Sequence, residues 1–463
     1  MALCFIEDGG IHMKEKSSFS SRLGFILAAS GSAVGLGNLW RFPYLAAKYG
    51  GGTFLLIYLL LAVSFGFVLM VTEIAIGRKT GKSALYAFST LNKKSGFIGV
   101  LASIVPIIIL PYYCVIGGWV IKYAWVFLTG SGEAAAAKDY FSGFISQTGE
   151  PLIWLVLFIL ATMAVILLGV NKGIENISKV LMPVLVVLSV VIAVFVITRP
   201  GAGAGIAYYF KPDLSKMSGN AFLAALGQLF YSMSLAMGIM ITYGSYLKKE
   251  DDIESSVRNI EIFDTGIAFL AGLMIVPAVF VFSGGDEAAL KAGPTLMFIT
   301  LPKVFDSMAG GHIIGAVFFI LVLFAALTSA ISLMETVVSI FTDRFGKSRR
   351  VITVLVTVYT ILMAIPSSLG FGIWSGISFQ GMSILDFFDF LSNSILMPIV
   401  AFLTCVFVGY TVKPKTITDE VESSTKRFKS KKFYVIMIKY ISPVLVLLIL
   451  ISSVLNALGL NTL

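Results

Sequence analysis

Gly31-Ser-Ala-Val-Gly-Leu-Gly-Asn-Leu-Trp-Arg-Phe-Pro43 lies inside a hydrophobic run, from about Leu23 to Ala47, that is otherwise long enough to cross a membrane. Three glycines, an asparagine, an arginine and a proline do not belong together in a plain membrane helix. In hydrocarbon an unpaired backbone polar group costs several kcal/mol, and a central arginine roughly 2.5 kcal/mol or more. The span therefore reads as broken. Broken backbone at membrane depth is tolerated only where it is buried in protein or lines a cavity, so its freed carbonyls and amides become candidate ligands for ions or small polar molecules.

The rest of the chain fits that setting. Of 463 residues, 57% are hydrophobic and 13% charged, against about 25% charged in a soluble domain. Apolar stretches of roughly twenty residues recur throughout, the length of a transmembrane helix; an outer-membrane barrel would show alternating strands of about ten residues. The expectation is an all-α integral membrane protein with eleven transmembrane helices, near residues 21–47, 52–77, 96–129, 152–169, 178–198, 221–247, 257–284, 313–343, 350–370, 384–412 and 433–457. Five spans precede Pro200, five follow from Ala221, and one is appended. An odd number of crossings returns the chain on the opposite side, so a second five-helix unit like the first is inverted relative to it, the 5+5 arrangement of many secondary transporters. The chain divides accordingly into an N-terminal segment (1–20), a first repeat (21–199), an extracellular loop (200–220), a second repeat (221–412), a basic loop (413–432) and a last helix with the C-terminus (433–463). The counterpart of broken span one is span six, where Tyr231-Ser-Met-Ser-Leu-Ala-Met-Gly238 sets two hydroxyls and a glycine at mid-depth.

A formal charge of +9 invites a nucleic-acid reading, but the cations fall mainly in alternate loops and mark topology. Lys14, Lys16 and Arg22 precede span one; Arg78, Lys79, Lys82, Lys93 and Lys94 follow span two; Lys172, Lys179, Lys248, Lys249, Arg344 to Arg350 and Lys413 to Lys432 occupy the later even-numbered connections. The positive-inside rule makes these cytoplasmic, and the N-terminus with them. Lys122, near the end of span three, is expected to snorkel to the outer interface. Cys4, Cys114 and Cys405 are too scattered for a disulfide framework or a metal site. Met1 to Ser21 is too mixed and polar for a cleavable signal peptide, and Met13 is as acceptable a start as Met1. Ser283 to Pro302 is polar, then apolar, and too short to span; a re-entrant or capping loop on the outer face is expected.

Close helix packing accounts for Gly31-x-x-x-Gly35 alone, but not for Asn38 and Arg41 beside it. Gly35-x-Gly37 is no dinucleotide fingerprint, since Trp40 stands at the third glycine position and no strand precedes it. In span eight, Thr328 and Ser329 either bond back to helix carbonyls or contribute to an oxygen-only cation site whose remaining ligands come from the broken span. Among Glu73, Asp264, Glu335, Asp343, Asp386 and Asp389, several are expected at the interface. Asp264 lies about eight residues into span seven and is the functional candidate.

The run Arg22-Leu-Gly-Phe-Ile-Leu-Ala-Ala-Ser-Gly-Ser-Ala-Val-Gly-Leu-Gly-Asn-Leu-Trp-Arg-Phe-Pro43, with Gly50-Gly-Gly52 after it, resembles the signature of the neurotransmitter:sodium symporter family, which includes the bacterial leucine transporter and its discontinuous helices. Further matches are Glu73-x-x-x-Gly77-Arg78, Tyr112-Tyr113 with Trp119, Gly169-Val170 through Gly173-Ile-Glu175 to Met182-Pro183, Gly227-Gln228, Phe298-Ile-Thr-Leu-Pro302 and Leu327-Thr-Ser329. They run from about Lys16 to Val412. The resemblance implies a LeuT-type fold with spans one and six broken. It also implies a multi-pass transporter of the plasma membrane, the inner membrane of a bacterium, that imports a hydrophobic or aromatic amino acid with sodium by alternating access. No enzymatic chemistry is implied.

Two sodium (Na+) sites follow from the resemblance. One takes the carbonyls of Gly31, Val34 and Ala325 and the hydroxyls of Thr328 and Ser329. The other takes the Ala33 carbonyl, Asn38, Ser232 and Asp264, and is completed by the substrate carboxylate. Amides of Leu36 and Gly37, at a half-helix N-terminus, and the Tyr113 hydroxyl would hold that carboxylate; carbonyls of Ala33, Tyr231 and Ser234 would take the amine. Ile109, Tyr231, Met237, Ser329 and Leu333 would surround the side chain. Tyr113 and Tyr231 resemble a lid, Arg41 and Asp389 an outer gate, and Lys16, Ser245, Tyr246 and Asp343 an inner gate.

Several residues depart from the family pattern. Lys16 stands where arginine is usual and cannot make a bidentate fork, and Phe19 stands where tryptophan is common. Ser232 replaces a threonine and keeps its hydroxyl. Met237 occupies an often aromatic position with an adaptable thioether. Asp264 stands where many relatives have asparagine; a fixed carboxylate there does the work of a bound chloride, so no chloride requirement is expected. The implied partners are a small-molecule amino acid and the lipid bilayer, with no nucleic acid; oligomeric state is not indicated. An amino-acid-sensing receptor or channel on the same fold is the alternative, but neither a large soluble domain nor continuous polar pore rings are present. An intramembrane hydrolase is excluded by the lack of a His-Glu-x-x-His or Gly-x-Gly-Asp motif.

Overall fold

The computed structural model describes residues 4–7, 10–13, 18–283, 294–424 and 427–457. Among these, nine helices are long and apolar enough to cross a membrane, and one bent pair makes a tenth. The bent pair is span one: Arg22–Ala33 and Gly37–Lys48 meet at 52°. Ser21 opens it as an N-cap, its Oγ accepting from the Gly24 amide at 3.1 Å. The break falls where glycine at positions 31, 35 and 37 lowers helix propensity by about 1 kcal/mol each relative to alanine.

Span six is also two pieces, Gly219–Ser232 and Ile239–Gly244, neither long enough to cross alone. Between them Ser234, Ala236 and Gly238 take φ values of 52°, 60° and 71°. Left-handed backbone at the two non-glycine positions costs of order 1 kcal/mol each and persists only when surroundings impose it. Glu73 of span two accepts from the Ala236 amide at 2.7 Å, and the Ser234 hydroxyl donates to the Ser32 carbonyl at 3.0 Å. Each broken span opens one set of five. The others are spans two (Gly52–Thr80), three (Lys93–Leu128), four (Glu150–Leu167) and five (Val170–Ile197), then seven (Ile253–Phe282), eight (Gly311–Phe345), nine (Arg349–Leu369) and ten (Ile384–Thr411). Span eleven (Lys431–Leu455) follows. Cys4–Glu7 pairs antiparallel with Gly10–Met13.

The motif Glu73-x-x-x-Gly77-Arg78 resolves into three separate tasks. Glu73 holds the unwound backbone of span six. At Gly77 a Cβ would fall 1.9 Å from the Ile241 carbonyl oxygen, and at Gly244 one would fall 2.3 Å from that of Ile74, so spans two and six meet backbone to backbone. Arg78 donates to the Glu420 carboxylate at 2.8 Å and to the Asp251 carbonyl at 2.5 Å, tying the loop helix Lys415–Glu422 to span two.

Lys122, expected to reach the interface, pairs with Glu150 at the start of span four at 2.5 Å and lies near the rings of Tyr140, Phe144 and Trp154. Of the six acids near the membrane, Glu73 and Glu335 are buried, and each has a partner that offsets desolvation, Ala236 N for the first and Arg349 with Tyr246 for the second. Of the segment expected to cap the outer face, residues 284–293 lie outside the described residues. Its remainder, continuing into Leu301–Ser307, buries Phe298 against Trp40, Trp119, Tyr123 and Phe141.

The glycines after span one give a first testable outcome. Gly51 has φ 51°, and a Cβ there would sit 1.9 Å from the Tyr208 carbonyl oxygen, on the loop helix Ala202–Phe210. Gly51→Ala is expected to cost several kcal/mol through clash and left-handed strain together. A thermal midpoint in detergent equal to that of the parent would contradict this.

Candidate functional site

The two breaks face each other across a narrow cavity of about 30 Å³, well below the roughly 300–1,000 Å³ of open small-ligand sites. Ala33, Leu36, Gly37, Ile109, Tyr113, Tyr231, Ser234, Met237, Ser329 and Leu333 all line it. Ser232 does not; it stands behind the cavity wall with Asp264, both bonded to Asn38, which lines the cavity. Ser32 and Ile239, which the sequence did not single out, line it too, as does Gly35, read from the sequence only as a packing residue. Its wall is largely apolar, with Ile109, Met237, Ile239 and Leu333 opposed to the polar backbone of span one.

The polar end is built from the first turn after the break, where Leu36 and Gly37 line the cavity at a helix start, the position whose amides lack partners within the helix. Gly37 is obligatory for closeness: a Cβ there would lie 2.5 Å from the Tyr231 ring. The Tyr113 hydroxyl is buried without a hydrogen bond of good geometry, beside Ser329 and the Leu36 amide. An orphaned donor next to unpaired amides suits a carboxylate, which accepts several hydrogen bonds at once.

Beside this end, Asn38, Ser232 and Asp264 converge from spans one, six and seven. Asn38 Nδ2 donates to Ser232 Oγ at 2.9 Å and to Asp264 Oδ1 at 2.8 Å, and Ser232 Oγ donates to the same Oδ1 at 2.7 Å. Asn38 Oδ1 accepts from the Gly35 amide at 3.1 Å. Tyr58 of span two completes the group, its hydroxyl donating to Asp264 Oδ2 at 3.2 Å. Nothing in the local sequence around Tyr58 signals that contact. A fully buried carboxylate without a paired cation is stable only when its oxygens are saturated with donors, and a bound monovalent cation would relieve the same cost. These oxygens and the Ala33 carbonyl are a hard, oxygen-only donor set.

A second oxygen cluster joins spans one and eight. Ser329 Oγ lies 3.4 Å from the Gly31 carbonyl, 3.1 Å from that of Ser32 and 3.5 Å from that of Val34. Thr328 Oγ1 bonds back to Phe324 and Ala325 carbonyls at 3.0 and 3.1 Å. The back-bonded hydroxyl and the cross-span hydroxyl therefore both occur, one at each residue. The packing reading of Gly31 and Gly35 holds as well, since Cβ atoms there would lie 3.2 Å from Thr328 Cβ and 2.7 Å from Ser329 Oγ.

The outer pair is not joined. Among the described residues Arg41 makes no ion pair; its guanidinium lies 5.8 Å from the Tyr231 ring centroid and faces a second, small cavity of about 50 Å³. Asp389 instead accepts from Asn393 Nδ2 at 2.6 Å. Of the residues expected at the inner gate, Lys16 lies outside the described residues. Ser245 donates to the Thr242 carbonyl at 2.7 Å, Asp343 accepts from the Ser83 amide at 2.9 Å, and the Tyr246 hydroxyl donates to Glu335 at 2.7 Å. Glu335 is in turn clamped by both terminal nitrogens of Arg349. Phe19 plugs this end, buried against Phe25, Tyr243 and Tyr246. Glu175 anchors the chain just after it, accepting from the Ser20 amide at 2.6 Å, from the Ser20 and Ser21 hydroxyls, and from Lys179 at 2.7 Å.

Comparison with known proteins gives a consistent picture. The family model described as the sodium:neurotransmitter symporter family matches residues 16–133 and 136–462. An uncharacterised sodium-dependent transporter of Haemophilus influenzae is 33% identical over 456 residues, 95% of this chain and 98% of its own. One from Methanocaldococcus jannaschii is 34% identical over 409 residues, 85% of this chain and 81% of its own. Among solved structures, that of MhsT in complex with L-phenylalanine superposes with a TM-score of 0.86 at 37% identity, covering 95% of this chain and all of that one.

Proposed function

The chain belongs to the sodium:neurotransmitter symporter family and is a sodium-dependent membrane transporter, and from that membership we propose that it imports a hydrophobic or aromatic amino acid, independently of chloride, by alternating access. The observation that carries the proposal is the contact between cavity and cluster: Asn38 lines the cavity and bonds both Ser232 and Asp264. A cation held there lies within reach of a carboxylate held by Tyr113 and the Leu36 and Gly37 amides. Opposite charges about 4 Å apart at an effective dielectric near 20 attract by about 4 kcal/mol, so each ligand strengthens the other and the linkage is reciprocal. Coupling therefore needs no moving relay.

The apolar wall supports a hydrophobic side chain, as does the phenylalanine bound by MhsT. Met237 gives that wall an adaptable shape. The Gly31, Val34 and Ala325 carbonyls with Thr328 and Ser329 form the proposed second sodium site. Chloride independence is supported by the fixed negative charge of Asp264, which three hydrogen-bond donors already face. The cations of the even-numbered connections favour a cytoplasmic N-terminus in a bacterial inner membrane, with the Phe19 plug as the closed inner gate and Arg41 and Asp389 as the open outer one.

Uptake of a panel of labelled amino acids into proteoliposomes tests substrate and chloride together. Phenylalanine, leucine and similar side chains are expected to compete, charged ones not, with rates unchanged when gluconate replaces chloride at constant sodium. Uptake that collapses in gluconate would overturn the chloride claim, and a preference for glutamate or lysine the substrate claim.

A further inference from the structure

One residue touches both halves of the site and belongs to neither assignment above. The Ser32 carbonyl accepts from Ser329 Oγ at 3.1 Å and from Ser234 Oγ at 3.0 Å, while its own hydroxyl donates to Ser234 Oγ at 3.2 Å. All three serines are buried and all three line the cavity. Ser329 is the hydroxyl that also approaches the Gly31 and Val34 carbonyls, and Ser234 is the residue held at φ 52° in the break of span six.

We propose that Ser32 is a positioning residue that couples the second sodium site to amino-acid binding, by holding Ser234 in its left-handed conformation only as firmly as Ser329 holds Ser32. This deepens the transport reading and rests on it.

The chemistry runs in one direction along three groups. A hydroxyl offers one proton and two lone pairs. When a cation takes a lone pair of Ser329 Oγ, the proton of that hydroxyl is directed away from the cation, and the Ser32 carbonyl is the acceptor at 3.1 Å. Without the cation the same proton is shared among the Gly31, Ser32 and Val34 carbonyls, all within 3.5 Å. Cation binding thus fixes the Ser32 peptide. That peptide is the acceptor that keeps Ser234 left-handed, and the Ser234 backbone is what span six presents to the cavity at that point. Non-glycine residues leave this conformation readily when the tertiary bond is lost. The device is local, since Ser32 bridges spans six and eight directly.

The test is substrate affinity measured at low and at saturating sodium on purified protein, with sodium binding alone measured in parallel. The ratio of the two affinities is the coupling factor, for which the usual range is about 5- to 150-fold. Ser234→Ala removes the donor to Ser32 and is expected to lower the factor about three- to tenfold, the worth of one hydrogen bond, while sodium binding without substrate stays at the parent value. Ser32→Ala keeps the carbonyl but removes the second bond, and is expected to lower the factor less. If Ser234→Ala abolishes substrate binding, Ser32→Ala alone carries the test. A coupling factor unchanged in both alanine variants, with affinity shifted equally at both sodium levels, overturns the proposal. Parent protein whose substrate affinity ignores sodium overturns the transport reading instead.

Discussion

Asp264→Asn is expected to raise the sodium concentration for half-maximal uptake about 10- to 100-fold, because each hydrogen bond or ion contact made by a charged group contributes about 1.5–3 kcal/mol. The carboxylate accepts from Asn38, Ser232 and Tyr58 in a fully buried position. Asparagine keeps the shape and removes the charge. With its oxygen at the Oδ1 position it still accepts from Asn38 and Ser232, while the Tyr58 hydroxyl meets its NH2 group, so some loss of folded protein accompanies the effect. Uptake of the variant is also expected to gain a dependence on chloride, since a mobile anion can replace the missing fixed one. Sodium-activation curves in chloride and in gluconate check both points. A variant with the parent sodium curve in both salts would show that Asp264 is a structural acid only.

Arg349→Met should be the most damaging substitution away from the cavity. Arg349 meets Glu335 through both terminal nitrogens and donates to the Ile166 carbonyl at 3.2 Å, and Glu335 is fully buried. Removing one partner of such a pair leaves an uncompensated buried charge and costs about 3–5 kcal/mol. Replacing both partners with apolar groups of similar volume is often neutral. The Glu335→Met/Arg349→Met double variant is therefore expected to recover most of the stability that the single variant loses, and a double-mutant cycle of thermal midpoints measures the coupling. The Tyr246 hydroxyl loses its acceptor in the double variant, which is expected to loosen the cytoplasmic closure around Phe19. A single variant within about 1 kcal/mol of the parent would contradict the pair's role, given the usual cost of a broken buried pair.

The two breaks were not equally legible in the sequence. Span one shows its break in its own composition, because glycines, Asn38 and Arg41 conflict with a membrane helix wherever they are placed. Span six does not. Its left-handed residues are Ser234 and Ala236, which carry no such local signal, and they are held by Glu73 and Ser32, both more than 150 residues away. Asn38, Ser232 and Asp264 were assigned through family resemblance, and the structure brings them into direct contact. Tyr58 escaped notice because a buried tyrosine among phenylalanines reads as core until its hydroxyl is placed. The same limit explains Lys122 and Glu150, Arg78 and Glu420, and Glu335 and Arg349: a charge near a membrane end reads as interfacial until a partner from another segment is seen.

Arg41 and Asp389 show the opposite case. The sequence put both on the outer side, and the structure leaves a cavity against Arg41 instead of an ion pair. With Phe19 packed on Phe25, Tyr243 and Tyr246 at the other end, the proposed outer gate is less firmly closed than the proposed inner one. Closure of the outer pair would then belong to a later step of the cycle.

The central claim is that the broken spans hold sodium and an amino acid in one shared site. Uptake of labelled phenylalanine into proteoliposomes, with and without an inward sodium gradient, for the parent protein and for Asn38→Ala, tests it most directly. The account expects accumulation only with the gradient in the parent protein and little or no sodium-driven accumulation in the variant. Accumulation that persists without sodium, or an Asn38→Ala protein with the parent sodium-activation curve, would contradict it.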